Sequence, residues 1–152
     1  MREAIKISNQ FIVGPQPVGR DYERLQREGI RSIVNLRTGG EDGGAHSPRE
    51  EAQRAAKLGM GYHHEPISIG ALQFSQIDRL RNRLKVLPAP IYLHGGSGDD
   101  DRAGAVVVMH LGAEEVLGGK EALIKGEQRG YTCRDERLRA FIADYCDHRP
   151  RG

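Results

Sequence analysis

The sequence holds only two cysteines, Cys133 and Cys146, thirteen positions apart near its C-terminal end. That spacing fits neither a zinc knuckle nor a redox pair, so both are read as reduced thiols, with no cofactor expected. Cys146 follows Ile142 and Tyr145 on one helical stripe, where packing rather than reactivity is its expected role. An excess of either charge is also missing. The 23 basic and 21 acidic residues leave a formal +2, too balanced for the many phosphate contacts of non-specific nucleic-acid binding. Nowhere do about eighteen apolar residues run together, and Met1 to Lys6 carries no apolar run of signal-peptide length. The chain therefore reads as cytoplasmic, with neither nucleic acid nor membrane as partner. There is no internal repeat and no low-complexity tract.

With 38% hydrophobic and 29% charged residues in 152, the chain has enough aliphatic material for one domain over residues 1–152. A chain of this size buries about two-thirds of its unfolded surface. Ile5 to Ile7 and Phe11 to Val13, split by Ser8-Asn9-Gln10, read as an opening hairpin or paired edge strands. Asp21 to Glu28 reads as a helix closed by Gly29, and Ser32 to Leu36 as a buried strand. Ser47-Pro48-Arg49-Glu50 supplies an N-cap, a proline at the first helical position and a glutamate that can return a bond to the cap. Tyr62 to Ile67 is a further strand. Ser75 to Asp78 reads as the cap of a helix with Ile77, Leu80, Leu84 and Leu87 on one face, stopped by Pro88.

Ile91 to His94 is the next strand, and Ala103 to Leu111, apolar on nearly every side, a buried helix. Two more helices follow, from about Lys120 to Gln128 and from a capping pattern at Thr132 to Asp135. Strands alternating with helices imply an α/β domain of three layers, with a mostly parallel sheet of about four or five strands between helices. Ligands bind such sheets at the strands' C-terminal ends, which here gather Arg37 to His46, Ser68 to Gln73 and Gly95 to Asp101.

One of these loops carries chemistry. A buried strand ending at His94, a turn through Gly95, Gly96, Ser97 and Gly98, and Arg102 opening a buried helix have the order of a cradle for a tetrahedral anion. Loop N–H groups and the helix dipole face such a ligand, and a guanidinium grips two of its oxygens. The stretch resembles the signature of cysteine-dependent protein phosphatases, in which a strand ends His-Cys, a glycine-containing loop follows and an arginine opens the helix. Gln16-Pro17, Ile33 to Arg37, Ala56 to Tyr62 and His63 to Ile67 echo the bacterial tyrosine-phosphatase-like family that also occurs fused to β-lactamase-like hydrolases. The likeness runs over roughly residues 5 to 130. It implies a cysteine-phosphatase-like fold, Gly95, Gly96, Ser97, Gly98 and Arg102 as anion-binding residues, Arg102 and Asp101 as the catalytic candidates, and a phosphate-like anion or a phosphoprotein as partner.

Three departures redirect that expectation. Gly95 stands where the family has its nucleophile, and glycine cannot attack phosphorus. Six residues separate Gly95 from Arg102, against four or five in the family. Asp99, Asp100 and Asp101 crowd the arginine, and each close carboxylate repels a phosphate dianion by about 1 to 4 kcal/mol, depending on local dielectric. An aspartate there can instead satisfy the open N–H groups of the Arg102 helix. A general acid is also lacking in Ser68 to Ala71, while Glu41 and Asp42 either reach the mouth or are simply solvated.

Two functions are consistent with these departures: a pseudophosphatase that binds without turnover, or a phosphoester hydrolase of altered, metal- or Asp-assisted chemistry. The histidines His63, His64 and His94 are expected as interior residues satisfied by backbone bonds rather than as metal ligands. Ser97 lacks an evident base, although His94 is near in sequence. Cys133 and Arg139 share the phosphatase spacing, but without a strand and glycine loop before them the match is coincidental.

Overall fold

The computed structural model describes residues 4–38, 47–95 and 101–148. Its strands are β1 (Ile5–Lys6), β2 (Phe11–Val13), β3 (Ser32–Asn35), β4 (Gly61–His64) and β5 (Ile91–His94). Its helices are α1 (Asp21–Arg27), α2 (Pro48–Lys57), α3 (Phe74–Val86), α4 (Arg102–Glu114), α5 (Gly119–Gln128) and α6 (Glu136–His148), with a 3-10 turn at Ile69–Ala71. The five strands lie in the order β1-β2-β5-β3-β4, and every pairing is parallel except β1 with β2. This is the three-layer α/β arrangement expected from the alternation of elements, with the opening hairpin in place.

Alternation along the strands sorts the core into two parts, because successive side chains point to opposite faces. Ile33 and Tyr92 pack with Tyr22 and Leu25 of α1 and Ala55 of α2. Val34, Leu36, Ile91 and Leu93 face the other way, into the larger core shared with α3, α4, α5 and α6. Helix α4 runs through the middle of that core and is buried along nearly its whole length, so three β-branched valines in a row cost it little against what their burial contributes.

Helix starts follow the sequence unevenly. The capping box at Ser47 is complete: the Glu50 amide donates to Ser47 Oγ at 3.1 Å, and the Ser47 amide donates to Glu50 Oε1 at 3.1 Å. Helix α3 begins one residue before Ser75, with Gln73 at the cap and no side-chain cap bond. The Asp78 carboxylate that would have closed the box instead accepts from Tyr145 Oη at 2.5 Å. Helix α6 begins at Glu136 rather than at Thr132, capped by Asp135, whose Oδ1 accepts from the Leu138 amide at 2.9 Å. Strand β4 ends at His64, short of the expected Ile67. Among the described residues, no helix is long and apolar enough to cross a membrane.

Candidate functional site

The parallel strands β3, β4 and β5 end side by side, and the first residue of α4 draws those ends together. Arg102 is buried, and its guanidinium donates to three backbone carbonyls: Ile67 O at 2.8 Å, Gly95 O at 3.0 Å and Leu36 O at 3.3 Å. Each acceptor lies just beyond a different strand. A planar fork of five N–H donors suits this task, which a lysine ammonium on a flexible stem would perform poorly. Arg102 thus ties down the frame of the site, in addition to standing where an anion-gripping arginine is expected.

Asp101, next to it, is also buried, but it does not cap α4 with its side chain. Its Oδ2 accepts from the amides of Arg134 at 2.7 Å and Asp135 at 3.0 Å, so the carboxylate secures the approach to α6. The carbonyl of Asp101 accepts from Tyr131 Oη at 2.8 Å. Tyr131 reaches it only because position 104 is glycine, since a β-carbon there would fall 2.1 Å from Tyr131 Cε1. Of the three aspartates that could cap α4, Asp101 instead makes a tertiary contact between α4 and the segment before α6. The other expected loop residues, Gly96, Ser97, Gly98, Asp99 and Asp100, lie outside the described residues, as do Glu41 and Asp42.

Beneath the strand ends, on the α1 and α2 face, is a buried polar cluster that sequence reasoning did not find. Its centre is Glu51, on α2 and fully buried. His94, the last residue of β5, offers Nε2 to both carboxylate oxygens, at 2.9 and 3.0 Å. Tyr22 Oη donates at 2.8 Å and Gln16 Nε2 at 2.9 Å. The Tyr62 hydroxyl of β4 lies near enough to help stabilise the Glu51 charge, and it accepts from Asn35 Nδ2 at 3.1 Å. Burial alone pushes the Glu51 carboxyl up, but the bonds and charge of His94, with the Tyr22 and Tyr62 hydroxyls, outweigh it and hold the group below its ordinary value of 4.5. Desolvation and the neighbouring Glu51 charge raise both tyrosine hydroxyls, which stay protonated and donating.

The cluster reaches the end of β3 through Gln16, whose Oε1 accepts from Arg37 Nη1 at 3.0 Å. Arg37 is buried, with its amide held by Asn35 Oδ1 at 2.9 Å and its carbonyl bonded to His64 Nε2 at 2.7 Å. Of the three candidate histidines, His64 is thus satisfied by backbone as expected, whereas His63 lies against Glu65 at 3.3 Å and His94 against Glu51. A carboxylate, not a carbonyl, is what the interior histidine found. Among the described residues, no group of three His, Cys, Asp or Glu side chains is placed to share a metal ion.

Both cysteines lie away from the strand ends in sequence and both are buried. The Cys133 thiol is a weak donor to Asp135 O at 3.6 Å, and burial pushes it up and away from thiolate. Arg139 Nη1 donates to the Cys133 carbonyl at 3.4 Å, and no strand precedes Cys133, so the shared spacing has no phosphatase-like geometry behind it.

A family model for the phosphatase-like domain of beta-lactamase hydrolase-like proteins matches residues 4–109. The chain belongs to this family. The match takes in the strand ends and Arg102 and stops within α4. A beta-lactamase hydrolase-like protein of Agrobacterium fabrum is 26% identical over 96 residues, and one of Xylella fastidiosa is 25% identical over 96. Those alignments take in 63% and 62% of this chain but only 22% of either relative, so the chain corresponds to about a fifth of their length. Among solved structures, Tk-PTP in its active form superposes with a TM-score of 0.79, at 18% identity over 97% of each chain. The Neisseria meningitidis protein nma1982 gives 0.75, at 19% identity over 93% of this chain and 96% of that one. PTPMT1 in complex with PI(5)P gives 0.74, at 14% identity over 94% of each. At these identities the three superpositions establish the fold: it is that of tyrosine-phosphatase-like domains.

Proposed function

We propose that this domain is a pseudophosphatase, which has lost cysteine-phosphatase chemistry and keeps a cradle for a phosphate-like anion or a phosphorylated protein. The observation that supports this reading most directly is Gly95. It follows β5 immediately, its carbonyl is held by Arg102, and it has no side chain with which to attack phosphorus. Neither Cys133 nor Cys146 supplies a substitute, since both are buried and Cys133 is pushed away from thiolate. In this reading Gly95, Gly96, Ser97 and Gly98 offer N–H groups to the anion. Arg102 contributes charge while bracing the strand ends, and Asp101 keeps α4 in place rather than passing protons. The PTPMT1 complex with PI(5)P makes a phosphorylated ligand the first to try.

The competing reading, a hydrolase that uses Asp99, Asp100 or Asp101 with or without a metal ion, has only that acidic run in its favour. One experiment separates the two. Inorganic phosphate titrated into 15N-labelled protein is expected to shift the amides around Gly95 and Arg102, while p-nitrophenyl phosphate is not turned over above buffer. Arg102→Lys, which keeps one positive charge but cannot span three carbonyls, is expected to abolish the shifts. Robust turnover lost in Arg102→Lys overturns the reading, and turnover that stops with a chelator establishes the metal-assisted alternative.

A further inference from the structure

Among the described residues, the side chains that hydrogen-bond the Glu51 carboxylate are all donors, and each comes from a different part of the chain: Gln16 before α1, Tyr22 in α1 and His94 in β5. A buried carboxylate accepts only, so it dictates how each neighbour presents its hydrogens. His94 must carry hydrogen on Nε2. Its other ring nitrogen, Nδ1, is buried with no hydrogen-bond partner among the described residues, one position before Gly95. Gln16 must turn its amide NH2 toward Glu51, which leaves its carbonyl oxygen to accept from Arg37 Nη1. One carboxylate therefore sets two groups at the strand ends, the imidazole that closes β5 and a guanidinium after β3.

We infer that Glu51 is a positioning residue of the strand-end site, fixing the hydrogen on His94 Nε2 directly and the Arg37 guanidinium through Gln16. The effect on ligand affinity rests on the anion-binding reading, whereas the placement of hydrogens stands without it. Glu51→Gln gives the sharp test. With Tyr22 and Gln16 both donating to one oxygen, the new amide must turn its oxygen to them and its NH2 to His94, whose hydrogen then has to move to Nδ1. The expected result is a wild-type His94 with Nε2 protonated, read from the ring 15N shifts, and a variant with Nδ1 protonated. Affinity for inorganic phosphate should fall about tenfold, the scale on which outer partners of a ligand site act.

A Glu51→Gln protein that keeps the wild-type tautomer and the wild-type phosphate affinity overturns the inference. Should that variant fail to fold, Gln16→Met, which removes the bridge to Arg37 together with one donor to Glu51 and leaves the His94 bond in place, takes its place: weaker phosphate binding supports the inference and unchanged binding overturns it. Should wild-type protein bind no phosphate, the proposed function falls. The His94 ring then decides alone: an Nε2 without hydrogen in wild type overturns the inference, and an Nε2 that carries hydrogen supports it.

Discussion

The two faces of the sheet are filled in different ways. On one side, α3 to α6 close over a continuous apolar core in which Leu93, Met109, Leu138 and Ile142 are almost completely buried. On the other, α1 and α2 cover a smaller apolar group that surrounds a carboxylate, with His94, Tyr22, Tyr62 and Gln16 turned toward it. The larger face depends on shape, which tolerates a swap of similar volume and resists an added atom. The smaller face depends on complementary donors, where an equal-sized change that removes one charge unbalances three partners. The face built around a charge is the one that reaches His94 directly and Arg37 through Gln16, so the carboxylate contributes orientation there as well as stability.

Breaking the polar face should produce the largest effect. Glu51→Ala strands three donors in a buried space and is expected to destabilise the domain by about 3–5 kcal/mol in urea melts. A loss below about 1 kcal/mol would mean that the cluster rearranges freely, and the contrast between the faces would collapse. On the apolar face, Gly104→Ala brings a methyl group to within 2.1 Å of the Tyr131 ring and is expected to cost about 1–3 kcal/mol. Loss of the Tyr131 hydroxyl bond to Asp101 should show as altered ultraviolet absorbance of that tyrosine.

The smallest effect is a slope in acid. On the apolar face, burial and the Arg81 guanidinium hold His110 down at about 4 from its ordinary 6.5, partly opposed by Glu114. Between those values the unfolded chain binds the proton that the folded chain refuses, so stability falls as pH drops from about 6.5 to about 4. Glu51 acts lower: its folded carboxyl titrates beneath 4.5, so its contribution is complete above that value and is lost as pH falls through the folded one. Thermal melts across this range should therefore weaken in two stages, the apolar face first. His110→Asn should flatten the upper stage and leave the lower one, and a wild-type stability that is level from pH 6.5 to 4 would contradict this assignment.

Much of the architecture could be read from local pattern. The hairpin, β3, β5, the buried α4 and the capping box at Ser47 are all decided by near neighbours, and the structure has them where the sequence places them. Two capping readings, those for α3 and α4, failed for one reason: a carboxylate that could serve its own helix was drawn to a distant partner. Asp78 goes to Tyr145, while Asp101 leaves its own helix for the amides of Arg134 and Asp135. Glu51 was missed by the same logic in reverse. An acid in the first turn of a helix already has a sufficient reason in the helix dipole, so nothing local asks for another. Its one signal was geometric, since Glu51 lies four residues before the buried Ala55 and so on the inward stripe of α2.

The bonds of Arg102 to Leu36, Ile67 and Gly95 have a consequence for inheritance. All three acceptors are main-chain oxygens, which every amino acid supplies, so a substitution at those positions leaves the clasp intact. The arrangement of the three strand ends can then persist through generations in which the side chains at those positions change.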